Sequence, residues 1–169
     1  LSRLTRSPPL SRNDNVGPFL TGALCLGMTI DSSVVYLAQW EQHETVSARS
    51  DLFVTAYEPP TFFNLGGILD SNYETNGLRV PSLAVNPAST FLNVAYGRAN
   101  PVDGTRHIYV QRWDGSAWTT LGGGPVSAFS EAEHYDSANP DLCYVDDTLF
   151  ITWDESSQTD GPFIFVARW

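Results

Sequence analysis

The chain repeats itself three times, with a period of about 56 residues, which is the scale of the supersecondary units in repeat proteins. The segments LFVTAY, IYVQRW and IFVARW align without gaps and place Val54, Val110 and Val166 at equal intervals. Upstream of each, VVYLAQW, TFLNVAY and TLFITW recur at nearly the same step. In a repeat architecture of this kind, each copy is one supersecondary unit. The chain therefore consists of three similar units.

Each unit is predicted to consist of short strands. Alternating β-branched and aromatic residues favour strands, and no window shows the helical period. The sequence WDGSAW, with Asp114-Gly115 at its centre, is typical of a tight hairpin. In the second unit we expect strands over 80–85, 90–97, 106–113 and 117–122. Four strands in a repeat of this length are the blade of a β-propeller.

The predicted fold is all-β, a single domain over 1–169 made of three four-stranded antiparallel propeller blades. The blades are expected at 20–69, 78–125 and 138–169. The chain ends at Trp169, in phase with Trp113, so the third blade lacks its outer strand. By register, residues 1–10 would supply that strand, through the assembly residues Leu1, Leu4 and Leu10.

Three blades are fewer than the usual four to eight of a propeller. Two chains could form a six-bladed ring, or each chain could donate its first strand to a neighbour and build a filament. Either solution predicts that the chain binds itself as a homo-oligomer or filament.

Two aromatic columns and one arginine column are the candidate ligand-binding positions. One aromatic column comprises Trp40, Tyr96 and Trp153 on the second strands, and the other comprises Tyr57, Trp113 and Trp169 on the third strands. The arginine column comprises Arg112 and Arg168, and its member in the first unit is Ala56. Packing between blades demands a residue repeated in every blade, and the same rings could instead stack on a sugar. The candidate ligand-binding residues are Trp113, Trp118, Arg112, Arg168 and Trp169.

Cys25 and Cys143 follow Leu24 and Leu142, which align with Leu83 at two equal steps along the chain. The two cysteines therefore share one predicted column, in the innermost strands of the first and third blades. Free cysteines are often buried as small apolar residues. In a head-to-tail assembly, an intermolecular disulfide is the alternative.

The loops after the second strands carry many carboxylates, which favour a solvated acidic face. They are Glu41, Glu44, Asp51, Asp103, Asp154, Glu155 and Asp160. A carboxylate pair could serve a glycoside hydrolase, and a cluster could hold Ca²⁺, but no motif supports either. The three histidines lack metal-ligand spacing, and no nucleophile elbow is present. We expect no cofactor, no metal and no catalytic residue.

The charge argues against polyanionic partners. The chain has nine arginines, no lysine and a formal net charge of −10, so it offers no basic stripe for nucleic acid or an anionic membrane. No apolar run is long enough to insert into a bilayer. The acidity, the loops rich in Thr, Ser and Asn, and the start at Leu1 favour an extracellular location.

The stretch PSLAV…NVAY…IYVQRWDGSAWTTLGGG resembles the blade repeat of secreted bacterial β-propeller proteins over nearly the whole chain. The hairpin WDGSAW is also similar to a turn of fucose-binding propeller lectins, over a short stretch alone. The first resemblance implies a secreted propeller protein. Together with the expected self-association, it favours a non-enzymatic subunit that assembles as a structural or adhesive component, an analogy from the fold. The second implies the alternative, a lectin with pockets of Trp and Arg between blades that bind glycans. A glycoside hydrolase is the remote alternative.

Overall fold

The computed structural model describes residues 23–31, 33–42, 50–72, 81–89, 91–100, 104–130 and 133–169. At 23–27, 40–42, 50 and 71–72 it describes the backbone alone. The predicted completing strand at 1–10, with Leu1, Leu4 and Leu10, lies outside the described residues.

The described chain forms eleven strands and one short 3-10 turn, Leu121–Gly123. The strands are β1 Ala23–Asp31, β2 Val34–Gln42, β3 Ser50–Glu58, β4 Thr61–Asn72, β5 Ser82–Val85, β6 Leu92–Ala99, β7 Arg106–Trp113, β8 Trp118–Thr120, β9 His134–Val145, β10 Thr148–Ser157 and β11 Phe163–Arg168. The all-β prediction is confirmed. In the second unit, the observed strands agree closely with the predicted ones at each described end.

Each unit is an antiparallel meander in which every strand pairs with its neighbour in the chain. The first unit is β1-β2-β3-β4, the second is β5-β6-β7-β8, and the third has three described strands, β9-β10-β11. One parallel pairing, between Arg106 of β7 and Asp136 of β9, joins the second unit to the third. Among the described residues, β11 is the last strand of the third unit.

Apolar side chains pack the units face to face in two clusters. The cluster between the first and second units contains Ala38, Leu52, Val54, Ala56, Leu65, Leu83, Leu92, Val94 and Tyr96. The cluster between the second and third contains Ala84, Ala95, Ile108, Val110, Leu142, Leu149, Ile151 and Trp153. The second unit is covered on both faces, because a strand directs alternate side chains to opposite sides of the sheet.

The strand register corrects two of the predicted columns. Tyr96 pairs with Tyr109, whose equivalent one repeat earlier is Phe53. Phe53 pairs with Gln39 rather than with Trp40. The predicted column of Trp40 with Tyr96 is therefore wrong by a single position, which places Trp40 at a register position of the opposite face.

The predicted column of Leu24, Leu83 and Leu142, on the innermost strands, is also wrong in the first unit. Leu83 pairs with Val94, whose equivalent in the first unit, Leu37, pairs with Met28 rather than with Leu24. This difference of four residues matches the shorter turn of the first unit, where Asp31 pairs with Val34, whereas Val85 pairs with Leu92 in the second unit. Thr29, not Cys25, is consequently the equivalent of Cys143.

Candidate functional site

The hairpin between β7 and β8 is held by the carboxylate of Asp114. Its Oδ1 accepts hydrogen bonds from the backbone N–H of Ser116 at 2.8 Å and of Ala117 at 2.9 Å, and from the Ser116 hydroxyl at 2.8 Å. These donors favour the ionised form and lower the pKa of Asp114. Gly115 has φ +101°, a conformation that favours glycine. The turn places Trp113 directly opposite Trp118.

The two tryptophans pack against the outer strand of the first unit. Their ring centroids are 5.4 Å apart, and Nε1 of Trp118 donates to the backbone oxygen of Leu65 at 2.8 Å. Gly66, with φ +72°, lies beneath them, and a Cβ on it would be 2.7 Å from Cδ1 of Trp118 and 2.9 Å from Cζ3 of Trp113. Both indoles therefore serve the contact between the first two units.

Arg112 belongs to a polar link between the second and third units. Its Nε donates to Oδ1 of Asn93 at 3.0 Å, and its guanidinium carbon lies 5.3 Å from the centroid of the Phe91 ring. Asn93, which is fully buried, donates through Nδ2 to the hydroxyl of Tyr144 at 2.7 Å. A buried amide that uses both its oxygen and its nitrogen avoids the desolvation cost of an unmade hydrogen bond.

Arg168 and Trp169 lie at the far end of the third unit. Arg168 pairs with Phe150 in the register that Arg112 has with Asn93, and it is exposed. Trp169 is 39% exposed, and its backbone N–H donates to the oxygen of Leu149 at 3.0 Å. The five candidate residues thus occupy three places: the first contact between units, the second contact, and the open end.

Among the described residues, two ion pairs connect neighbouring units. Nε of Arg98 lies 3.6 Å from Oδ1 of Asp70, which joins the second unit to the first. Arg106 donates to both oxygens of Asp136, with its Nε at 2.7 Å from Oδ1, which joins the second unit to the third. Bidentate guanidinium–carboxylate pairs fix geometry as well as charge.

The sequence pattern assigns Glu155 to a solvated acidic face, but its carboxylate is buried. Four donors converge on its two oxygens: Nε1 of Trp153 at 2.7 Å, the N–H groups of Ala128 at 2.9 Å and Phe129 at 3.3 Å, and the Ser127 hydroxyl. Burial raises its pKa, but the four hydrogen bonds outweigh burial and leave the pKa below its ordinary value. Glu155 and the equally buried Asp51 therefore do not belong to a solvated face.

Two histidines stack beside Glu155, between the second and third units. The rings of His107 and His134 are 4.2 Å apart at their centroids and inclined by 15°, and both are buried. Nε2 of His134 lies 2.9 Å from the hydroxyl of Ser137 and 3.8 Å from Oε1 of Glu155. No sequence pattern pointed to this stack, because the two histidines occupy unrelated positions of the repeat.

The third unit ends in an exposed apolar face. Ile164 and Val166 are 80% and 64% exposed. Their equivalents one and two repeats earlier are fully buried: Leu52, Val54, Ile108 and Val110. Val145 and Cys143 are exposed on the same side, and we call these four residues, Cys143, Val145, Ile164 and Val166, the C-terminal face.

The first unit ends in a second exposed apolar face. Met28 and Ile30 pair with Leu37 and Val35 and are 70% and 61% exposed. Ile68, which pairs with Phe53 on the same side, is 42% exposed. We call Met28, Ile30 and Ile68 the N-terminal face.

In the described part of the chain, no group of three His, Cys, Asp or Glu residues could hold a metal ion. That same part contains no helix with the length and apolarity needed to cross a membrane.

One of the solved structures that are similar to this chain is that of a lectin. No protein-family model matches the chain, and no curated protein matches it. A fucose lectin from Kordia zhangzhouensis in complex with methyl-fucoside has 14% sequence identity and a TM-score of 0.47, and the match covers 88% of this chain and 92% of the lectin chain. This degree of similarity assigns neither a fold nor a function.

Proposed function

We propose that the chain is a non-enzymatic subunit of a β-propeller that assembles from several copies outside the cell, as a structural or adhesive component. Each unit would be one blade. The single observation that carries the proposal is the exposure of Ile164 and Val166, at positions that the other two units bury completely.

Packing between successive units would cover both the C-terminal face and the N-terminal face. Within the chain, each unit is covered by the next through the positions that Ile164 and Val166 occupy in the third unit. A fully buried Val or Ile side chain is worth about 1.5–3 kcal/mol. A face of this kind in water is therefore unfavourable, and exposed apolar patches mark interaction sites.

A second copy of the same chain supplies the matching surface. The second and third units approach the preceding unit through the positions of Leu83 and Leu142, which are buried. Met28 occupies the equivalent position in the first unit and is exposed. The N-terminal face of one copy is thus built like the surfaces that already pack onto a preceding unit. Head-to-tail contact would close a ring of two copies or extend a filament.

Light scattering over a range of concentrations tests the proposal. We expect the wild type to associate, and the double variant Ile164→Asp/Val166→Asp to lose association by at least a hundredfold, because two buried side chains are worth at least about 3 kcal/mol. Thr120→Asp, at an exposed strand position of the second unit, is the matched control and should associate normally. A wild type that stays monomeric at every concentration would refute the proposal.

Cys143 provides an independent readout of the same contact. In a Cys25→Ser background, its exposed thiol should react with a maleimide in the dilute monomer and be protected in the assembly. Equal labelling rates in both states would show that the C-terminal face is not the contact.

Glycan binding is a second candidate function, favoured by Arg168 and Trp169. These neighbours present a guanidinium and a partly exposed indole at the open end of the third unit, the residue types that hold hydroxyl groups and the apolar side of a sugar ring. A glycan array should then give saturable signals that Trp169→Ala removes and that Tyr135→Ala, which changes another exposed aromatic residue, preserves. Absence of any saturable signal would leave the structural role alone.

A further inference from the structure

We propose that the outer edge of β11 binds an extended segment of another protein, and that a tryptophan of this segment packs against Gly122. The site lies at the edge of the third unit and not on the C-terminal face, so the inference is independent of self-assembly. It has two parts: the unpaired backbone of β11, and a glycine whose equivalent in the first unit already holds a tryptophan.

The backbone of β11 offers an unpaired edge. Trp169 and Leu149 exchange both hydrogen bonds of an antiparallel pair, at 3.0 and 3.2 Å. Hydrogen-bonded and non-hydrogen-bonded pairs alternate along such strands, so the N–H and C=O groups of Arg168 and Val166 point away from β10. No described strand pairs with β11 on that side. An exposed edge of this kind can accept a further strand.

The second unit shows which strand pairs with the same edge elsewhere in the chain. Trp113, the equivalent of Trp169, pairs with Trp118 at the start of β8. The next residue of β8, Thr119, lies opposite Arg112. A strand that paired with β11 in this register would therefore place its first residue opposite Trp169.

The surface that would receive this first residue is uncovered. In the contact between the first two units, the ring of Trp118 packs on Gly66, where a Cβ would be 2.7 Å from its Cδ1. Gly122, one repeat later, has φ +74° against φ +72°, and no atom of the described residues lies within 4 Å of the position of its Cβ. Trp169 at the end of β11 is 39% exposed. The space above Gly122 is therefore open to a flat ring.

The site also contains the acceptor that an indole needs. Nε1 of Trp118 donates to the backbone oxygen of Leu65 at 2.8 Å. Leu121, the equivalent of Leu65, lies in the 3-10 turn Leu121–Gly123. A carbonyl oxygen has two lone pairs, so that of Leu121 can accept an indole N–H in addition to a bond within the turn. Tryptophan satisfies this acceptor, whereas phenylalanine has no N–H to donate.

The tryptophan must come from another protein, because each tryptophan of this chain already has a place. Four of the five lie in strands that pair with their neighbours: Trp40, Trp113, Trp118 and Trp153. The fifth, Trp169, belongs to the site itself. The segments outside the described residues contain no tryptophan. A second copy could therefore fill the site only by unpairing one of its own strands.

Fluorescence anisotropy with a labelled peptide tests the inference, at a protein concentration where the chain is monomeric. The probe is SAWTTLGG, the sequence of residues 116–123. We expect saturable binding that Gly122→Ala weakens at least about tenfold, because the added Cβ occupies the place of the indole. Gly123→Ala is the matched control, since Gly123 has φ +75° and its equivalent Gly67 has nothing within 4 Å of its Cβ position. It should bind within about twofold of the wild type.

Amide exchange locates the bound peptide on the protein. The peptide should slow exchange at Arg168, whose N–H faces the open edge, and leave Ala167, whose N–H faces β10, unchanged. Unaltered exchange at Arg168 under saturating peptide would show that β11 does not accept the strand.

Two further peptides identify the occupant. The same peptide with Trp118→Ala should bind the wild type at least about tenfold more weakly, which tests the site even if Gly122→Ala fails to fold. The peptide LSRLTRSPPL, the sequence of residues 1–10, should compete no better than that variant. Absence of saturable binding, equal affinity of Gly122→Ala and Gly123→Ala, or stronger competition by LSRLTRSPPL would each overturn the inference.

Discussion

Replacing Gly66 by alanine tests how closely the Trp113–Trp118 pair packs onto the first unit. The added Cβ would lie 2.7 Å and 2.9 Å from carbon atoms of the two indoles, closer than carbon atoms approach in well-packed proteins. The neighbours are rigid rings, and Trp118 is also tied to the oxygen of Leu65. The first unit and the hairpin must therefore move apart.

Gly122 is a matched control within the same chain. It stands one repeat after Gly66 and has nearly the same backbone conformation, φ +74° against φ +72°, yet nothing lies within 4 Å of the position of its Cβ. Alanine at either position carries the same backbone penalty, about 1–2 kcal/mol for a left-handed conformation. Alanine also gains a similar 0.4–1 kcal/mol or so from the less flexible unfolded chain at both positions. The difference between the two variants therefore isolates the contact with the tryptophans.

The expected difference is about 1–3 kcal/mol, the usual cost of forcing an extra methyl group into a packed core. Weakening of the Trp118 hydrogen bond would add about 0.5–1.5 kcal/mol. Urea unfolding of the monomer, followed by circular dichroism with equal m-values, measures both variants. If Gly66→Ala and Gly122→Ala lose the same stability to within about 0.5 kcal/mol, the packing of the hairpin onto Gly66 is not as described.

Three further predictions concern polar side chains. Asn93→Ala should destabilise the chain by about 1–3 kcal/mol in urea unfolding, because the hydroxyl of Tyr144 and the guanidinium of Arg112 each lose their hydrogen bond to Asn93. An unchanged midpoint would contradict the link between the units. Glu155 has a lowered pKa, so its contribution is present above the ordinary value of 4.5 and is lost as the pH falls below it; Glu155→Gln should lower the melting temperature at pH 6 and abolish this acid loss, and a parallel pH profile would refute the assignment. Asp114→Ala should loosen the hairpin and speed amide exchange at Ser116 and Ala117, whereas Asp160→Ala, in another turn, should leave those two amides unaffected.

The sequence predicted the second unit well because its signals agree with one another. The Asp114-Gly115 turn fixes β7 against β8, and the constant step of the repeat then aligns Ile108 and Val110 with their equivalents. The register of the first unit was harder, because apolar residues alternate along β1 and any even shift leaves that alternation unchanged. The length of the turn between β1 and β2 decides the register, since Asp31 pairs with Val34 whereas Val85 pairs with Leu92, and the alternation along β1 does not reveal that length.

The candidate site was predictable only in its residue types. Arg112 and Trp113 were identified from columns of the repeat, but their actual partners, Asn93 and Gly66, come from other strands and units. Glu155 lies in a column that also contains Glu41 and Arg98, all charged and equally spaced along the chain, and this regularity was the available signal. The stack of His107 on His134 depends on a parallel contact between units, which no local pattern encodes.

The meander topology also has a consequence for how the chain acquires its structure. Every antiparallel pair joins strands adjacent in sequence, so most native pairings close short loops and lose little chain entropy in forming. Each unit can therefore collapse as it leaves the ribosome, with the next unit docking on a surface already in place. When β11 emerges, its partner β10 is already paired with β9, and β11 adds to a finished template as a single strand.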